Sequence, residues 1–308
     1  MIYLLFSIAC SDYKVVRQTI TDSFVQPSRE SGVDILWVVD DSASMFEEHD
    51  QLSAHADSFI SYLTAVPVDF QLGIITTDVS VEFPGALLGT PLSAETPDLV
   101  SEFSNLIFTE EGSRDEKGFE AVLAALNPDG PNGSVLRQNA DLEIVFFSDE
   151  DEQSNMTVNE FLNGVASLRS SSDIVVNAIV GDPPEGCASV YGAADVGEKY
   201  QKAQEKTNGA RESICALDYD AMLQRIAVKV LGLETTFALS AAPDLSTLEV
   251  TVGDAYIHQR SRHGWRYDAG ENTIIFDGYA VPYPSSEIII NYAEWIGPED
   301  SFEEQVEE

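Results

Sequence analysis

The sequence predicts an α/β fold: a mostly parallel central sheet flanked by helices, followed by a small antiparallel β-domain. Three observations predict it. Apolar runs of strand length alternate with segments of helical periodicity between residues 33 and 233. Several of those runs are apolar at nearly every position, as strands covered on both faces are. From Thr235 onward the rhythm becomes a strict apolar/polar alternation broken by turn residues.

The elements follow in order. Residues 1–9, in "MIYLLFSIACSDYK", form an apolar segment too short to span a bilayer but suited to the core of an export signal. A small residue before Cys10 resembles a bacterial lipobox, which implies acylation of Cys10 and a bacterial cell-envelope location; a frayed hydrophobic end is the other reading. Residues 10–32 are polar and aperiodic, as in a tether. "VDILWVV" (33–39) predicts a buried strand. A helix over 52–66 presents Leu52, Phe59, Tyr62 and Leu63 on one face. "FQLGIIT" (70–76) predicts the next strand. A short helix over 99–108 follows, and then one over 116–126 with the stripe Phe119, Val122, Leu123 and Leu126. "DLEIVFF" (141–147), a helix over 158–168, "DIVVNAIV" (173–180) and a helix over 219–231 complete the domain at 33–233. "LEVTV" (248–252), "NTIIF" (272–276) and "EIIINY" (287–292) predict the strands of a small β-sandwich-like domain over 234–296, with Trp265 and Tyr267 in its packing. Residues 297–308 form an acidic tail.

Charge narrows the choice of partner. The chain carries 53 acidic and 16 basic residues in 308, a net charge of -37. Such a surplus repels phosphate backbones and anionic lipid, so nucleic acid is excluded and a membrane is reached only through a lipid anchor. Cys187 and Cys215 share one excursion of the chain and lack the spacing of a zinc site. In an exported protein they are expected to form a disulfide, worth roughly 3 to 4 kcal/mol by loop-closure entropy. Two unrelated buried thiols are the alternative if the chain is not exported.

The stretch "VDILWVVDDSASMFEEHD" (33–50) carries the chemistry. Ligands of open parallel sheets bind at the carboxyl ends of the strands, and Asp40 stands at such an end. Ser42 and Ser44 follow it on the turn into a helix. Three oxygen-bearing side chains on one loop make a half-shell for a hard divalent cation.

Asp40-x-Ser42-x-Ser44 after an apolar strand resembles the metal-ion-dependent adhesion site of von Willebrand factor A domains. "FFSDEDE" (146–152) also follows a core strand, and the resemblance makes Asp149 the third-loop aspartate. "SRDEKGFEAVLAAL" (113–126) is similar to the second loop of the inserted domain of integrin β subunits, which places Glu116 at the metal. Glu47 and Glu48 fall where that class carries two acids for an adjacent cation. The resemblance covers roughly residues 33–233. It implies Mg2+ or Ca2+ bound directly by Ser42 and Ser44 and less directly by Asp40 and Asp149, with one position open to an acidic side chain of a protein partner. Three ionised carboxylates, Asp40, Glu116 and Asp149, exceed one divalent charge by one. A neighbouring cation at Glu47 and Glu48 would offset that surplus.

Other readings are weaker. Asp149, Asp151, Gln153, Asn155 and Glu160 match positions of an EF-hand loop, but Ser154 stands where glycine is needed and the loop leaves a strand. His258 and His263, in "HQRSRH", read as a surface patch that offsets local acidity. Asp78, at the end of another strand, reads as a supporting residue near the cation. Motifs for nucleophilic, phosphate-binding or zinc chemistry are missing, and no histidine is expected near the three loops, so the chain reads as a non-enzyme. The expected function is an exported, lipid-anchored adhesion or protein-binding module. A metal-indifferent structural component of a cell-surface complex is the alternative, and a metal-dependent hydrolase comes third.

Overall fold

The computed structural model describes residues 18–295 except 30, 109–111, 113–115, 134–135, 138 and 170–172. The expected signal segment, Cys10 and the acidic tail lie outside the described residues. Two compact units emerge, and one is nested in the other's sequence: the α/β unit comprises Gln26–Glu234 with Val281–Ser285, and the β unit takes chain from both sides of it.

The first strand corrects the expected tether. β1 (Thr19–Val25) pairs antiparallel along its whole length with β14 (Glu287–Ala293), from Thr19 opposite Ala293 to Val25 opposite Glu287. Ile20, Asp22 and Phe24 are its half-buried positions. Its alternation was hidden in the sequence because threonine, serine and aspartate share the strand with only three apolar residues.

The α/β unit begins with β2 (Val33–Val39), in which all seven residues are buried. Then come α1 (Phe46–Ala54), α2 (Ala56–Ala65), β3 (Phe70–Thr76), α3 (Leu99–Ile107), α4 (Gly118–Leu126), β4 (Asp141–Phe147), α5 (Val158–Leu168) and β5 (Ile174–Val180). A two-residue hairpin, β6 (Cys187–Ala188) with β7 (Ala193–Ala194), precedes α6 (Glu198–Thr207), β8 (Arg211–Ser213) and α7 (Tyr219–Val230). The sheet order is β3-β2-β4-β5-β8, with every neighbour parallel. Leu72 and Leu92 form an antiparallel bridge that covers part of the free edge of β3.

Side chains alternate across the strands and so set the two helical layers. Leu36 and Val38 join Phe119, Phe161 and Tyr200 in one core, beneath α4, α5 and α6. Trp37 points the other way and packs edge-on against Phe59 of α2 and Phe103 of α3. Its ring is fully buried, and burial of an aromatic this large stabilises by roughly 3 to 5 kcal/mol relative to alanine.

Three differences from the sequence reading have local causes. The helix expected over 52–66 starts at Phe46 and breaks at His55, where the backbone leaves the helical region and begins again as α2. The helix expected from 116 starts at Gly118, because Glu116 is held in a backbone bridge with Asp78. The helix α6 and the strand β8 were not anticipated. α6 is lysine- and glutamate-rich and buries only Tyr200, Gln201 and Ala203, so it carries little periodic signal.

The β unit adds β9 (Thr236–Ala238), β10 (Glu249–Val252), β11 (Ala255–Ile257), β12 (Trp265–Asp268) and β13 (Thr273–Phe276) to β1 and β14. It forms two antiparallel sheets, β1-β14-β10-β11 and β12-β13-β9. Phe237 touches Phe24 of the first sheet and Phe276 of its own, which ties the two together. Trp265 is buried and donates its indole N–H to the Ile257 carbonyl at 2.7 Å, and the Tyr267 hydroxyl donates to Asn272 at 2.8 Å. His263 stacks on Tyr279.

Candidate metal centre at the strand ends

The sheet order dictates where a site can form. β3 lies on one side of β2 and β4 on the other, so chain connections leave β2 and β4 in opposite directions. Their carboxyl ends flank the crevice where open α/β sheets bind ligands. Asp40 follows β2 directly; Ser148 and Asp149 follow β4. The Asp40 amide donates to the Phe147 carbonyl at 3.0 Å, which continues the parallel ladder by one step and brings the two loops side by side.

Hydrogen bonds then arrange the oxygens. Asp40 is fully buried, and its carboxylate accepts the Ser42 backbone N–H at 2.9 Å and the Ser148 hydroxyl at 2.6 Å. Ser42 and Ser44 hydroxyls lie 3.0 Å apart. Ser44 in turn hydrogen-bonds the Asp149 carboxylate. Thus Asp40, Ser42, Ser44 and Asp149 are linked as one chain of contacts.

Glu116 arrives from a third direction. Its peptide bridges Asp78, its carbonyl accepts the Gln153 N–H at 2.8 Å, and one of its carboxylate oxygens accepts the Gln153 amide. It is fully buried and feels the charge of Asp40. Consecutive positions on a helix point about 100° apart, and α1 separates Glu47 from Glu48 accordingly: Glu48 is buried and Glu47 is exposed.

The electrostatics are those of crowded, dry carboxylates. Burial, then the charge of Asp40, pushes Glu116 up to about 8. The same two causes raise Asp149 to about 6, against the hydrogen bond from Ser44. Burial raises Glu48 to about 7, with Asp149, Glu47 and Asp40 adding to it. Glu116 Oε1, Asp149 Oδ1, Glu48 Oε2 and Asp41 Oδ1 are buried and have no hydrogen-bond partner among the described residues. Buried carboxylate oxygens without donors are costly, and a hard cation is the group that satisfies several of them at once. The donor set therefore fits Mg2+ or Ca2+. Among the described residues no three His, Cys, Asp or Glu side chains are gathered closely enough to hold an ion by themselves. A site here would have to draw on other oxygens as well, such as the paired Ser42 and Ser44 hydroxyls.

Two residues at this rim were missed in the sequence, and one expectation is corrected. Asp41, 7% exposed, hydrogen-bonds Thr76 and lies in the field of Asp78; burial raises it to about 6. Gly112 packs so close to the Asp41 carboxylate that a Cβ there would come within 2.2 Å of it. The expectation of no histidine near the loops fails at His49. Its Nε2 lies 2.7 Å from the Asp40 carbonyl, and its ring stacks on Phe147. Helix α1 folds back over the loop that precedes it, a contact invisible in linear spacing. Burial lowers the pKa of His49.

Asp78 lies at the rim, as the sequence suggested, and accepts the Ser80 N–H at 2.7 Å. The EF-hand-like series is dispersed: Glu160 closes a capping box with Thr157, Asp151 accepts the Lys199 N–H at 2.8 Å, and Gln153 turns to Glu116. Cys187 and Cys215 form a disulfide, with Cα atoms 6.1 Å apart.

No family model matches the chain, and no curated protein matches it. Among solved structures it is similar to the pilus adhesin SpaC from Lactobacillus rhamnosus GG, at 13% identity and a TM-score of 0.48, over 89% of this chain and 41% of that one. It is also similar to the von Willebrand factor type A structure from Catenulispora acidiphila, at 12% identity and a TM-score of 0.42, over 92% and 68%. Proximal thread matrix protein 1 from the mussel byssus follows at 10% identity and a TM-score of 0.45, over 70% and 51%. The chain thus spans less than half the length of the SpaC adhesin. The α/β class itself stands on the sheet order and helical layers described above.

Proposed function

We propose that this chain is an exported adhesion or protein-binding module of the bacterial cell envelope, lipid-anchored at Cys10. In this reading Asp40, Ser42, Ser44, Glu116 and Asp149 hold Mg2+ or Ca2+ in the manner of a metal-ion-dependent adhesion site. One observation carries it: Asp149, bonded to Ser44 of the Ser42–Ser44 hydroxyl pair, and Glu116, within the field of Asp40, each keep a buried oxygen without a hydrogen-bond partner among the described residues. When bound, the cation supplies a positive centre with an open position for a partner's carboxylate. Ser148 and the Ser42 amide fix Asp40, and Gln153 fixes Glu116, so the oxygens are positioned before any ligand arrives. Glu48, with its own donorless oxygen, is the residue of the Glu47–Glu48 pair suited to an adjacent cation.

Binding and not turnover is the activity proposed. His49 is the histidine at this rim, and its ring is buried, spends Nε2 on the Asp40 carbonyl and is stacked on Phe147. The Cys187–Cys215 disulfide supports export, because such bonds persist in oxidising compartments. The net charge of -37 disfavours nucleic acid.

A second reading, a metal-indifferent scaffold in a surface complex, draws on the lack of a three-carboxylate or imidazole cluster among the described residues. Calorimetric titration of Mg2+ and Ca2+ into wild type and Ser42→Ala decides between them. Saturable heat in wild type that is lost in Ser42→Ala is expected; no heat in wild type would leave the scaffold reading.

A further inference from the structure

Beside the strand-end rim, and wholly within the α/β unit, a cavity of about 590 Å³ opens between the loop after β3 and the C-terminal end of α3. Much of its wall is apolar, from Val81, Phe83, Leu88, Leu106 and Phe108, with Glu82 and Asn105 among them. Phe83 is 60% exposed, Val81 47% and Phe108 44%. Large apolar side chains gathered in water around one hollow mark a contact surface, whereas scattered ones do not.

At the strand ends the lining changes character. Asp41 and Asp78 meet the cavity there, with Thr76, the last residue of β3. Asp41 is more than nine-tenths buried; Thr76 serves one side of its carboxylate, and Oδ1 has no hydrogen-bond partner among the described residues. Asp78, also buried, adds a like charge. A dry carboxylate in this position calls for a donor from outside, and a positively charged one answers both acids.

We propose that this groove receives a lysine or arginine side chain of a protein partner. The methylene stem lies along Phe83, Leu106 and Phe108, and the cationic head meets Asp41 and Asp78. Long basic side chains have this division, an apolar stem with a charged tip. A purely apolar side chain would leave Asp41 and Asp78 without a counter-charge, an acidic one would be repelled, and a bare metal ion would make no use of the aromatic wall. The net charge of -37 draws basic segments toward the chain from a distance. The inference rests on the binding-module reading only in taking the occupant from a protein; no wall residue belongs to the proposed cation set.

The test uses the full chain and blocked amino acids as probes: N-acetyl-lysine methylamide, its arginine and glutamate counterparts, and the uncharged norleucine compound. Amide resonances are followed by NMR during each titration, once with Mg2+ and once with EDTA. The lysine and arginine probes are expected to shift the amides of Val81, Phe83 and Leu106 and to bind at least about tenfold more tightly than norleucine, the ratio one charge-assisted hydrogen bond supplies. Phe83→Ala and Asp78→Asn should each weaken lysine binding, with melting curves confirming that both variants fold. Phe83→Ala should leave the heat of cation binding unchanged. Norleucine binding as tightly as lysine, or lysine binding indifferent to Phe83→Ala and Asp78→Asn, overturns the proposal. Wild type that gives no cation heat but still binds lysine overturns the cation reading alone.

Discussion

Ser148 donates its hydroxyl to the Asp40 carboxylate at 2.6 Å, a buried bond that joins the ends of the two central strands across the crevice between them. Without it Asp40 would keep, among the described residues, only the Ser42 amide as a donor to its carboxylate. Ser148→Ala is expected to cost about 1 to 3 kcal/mol of stability, the range for a buried acceptor deprived of its partner. It should also weaken Mg2+ or Ca2+ roughly tenfold or more, as removal of a supporting partner does at metal sites. Chemical denaturation and calorimetry on the same samples check both numbers. Unchanged cation affinity would show that the orientation of Asp40 is immaterial.

Cation affinity should rise with pH. Burial and the charge of Asp40 hold Glu116 near 8 and Asp149 near 6, so both retain protons in the cation-free fold at mildly acidic pH. A cation must displace those protons, and each one displaced gives up to about tenfold in affinity per pH unit. The sign for stability is opposite. Raised carboxylate pKa values stabilise the cation-free fold fully below their ordinary values, 3.8 for Asp149 and 4.5 for Glu116, and that contribution is lost as pH climbs to about 6 and about 8 respectively. Thermal melts should therefore show a larger Ca2+-induced rise in Tm at pH 8 than at pH 6. A pH-independent rise would exclude these two carboxylates as ligands.

A second pH effect comes from the opposite end of the sheet. Glu143, on central strand β4, is 1% exposed, pairs with Arg29 and accepts the Asn177 amide at 2.9 Å. Burial, opposed by Arg29, raises it from 4.5 to about 7. Its contribution is complete below about 4.5, where folded and unfolded chains are both protonated, and is lost as pH rises to about 7. Up to about 3 kcal/mol is involved at 1.36 kcal/mol per unit. Glu143→Gln should flatten the stability profile between pH 4.5 and 7 without altering cation binding.

Reduction should loosen one flank of the α/β unit. The Cys187–Cys215 bond closes a segment with a sequence separation of 28 that contains α6 and β8. Loop-closure entropy gives it about 3 to 4 kcal/mol. Cys187→Ser with Cys215→Ser should lower stability by that order, and a reducing agent should mimic the double variant. Equal stability in all three states would mean that the polar helix α6 is held by its own packing.

The parts of this architecture readable in sequence were those whose signal is local. "VDILWVV" can hardly be anything but a strand covered on both faces, and Asp40 at its end follows from where such sheets bind ligands. The α6 segment has three lysines among its ten residues, so its burial of Tyr200 was undetectable until the neighbouring helices supplied the aromatic core. β1 offered alternation, but its polar outward side chains made it look like a spacer. Asp41 and His49 were overlooked for another reason. Their roles depend on Thr76 from the neighbouring strand, on Gly112 and on Phe147, all distant in sequence. The side chains that complete a rim come from separate loops, and only the fold sets them at one address.

The nesting of one unit inside the other has a mechanical side. For a chain held from its N-terminal end, tension on the rim of the α/β unit passes through residues 19–25 before it reaches Gln26. That stretch is already drawn out at about 3.3 Å per residue. It has almost no slack to surrender. Residues 19–25 themselves would pass on a pull almost without lengthening, like a short rigid leash.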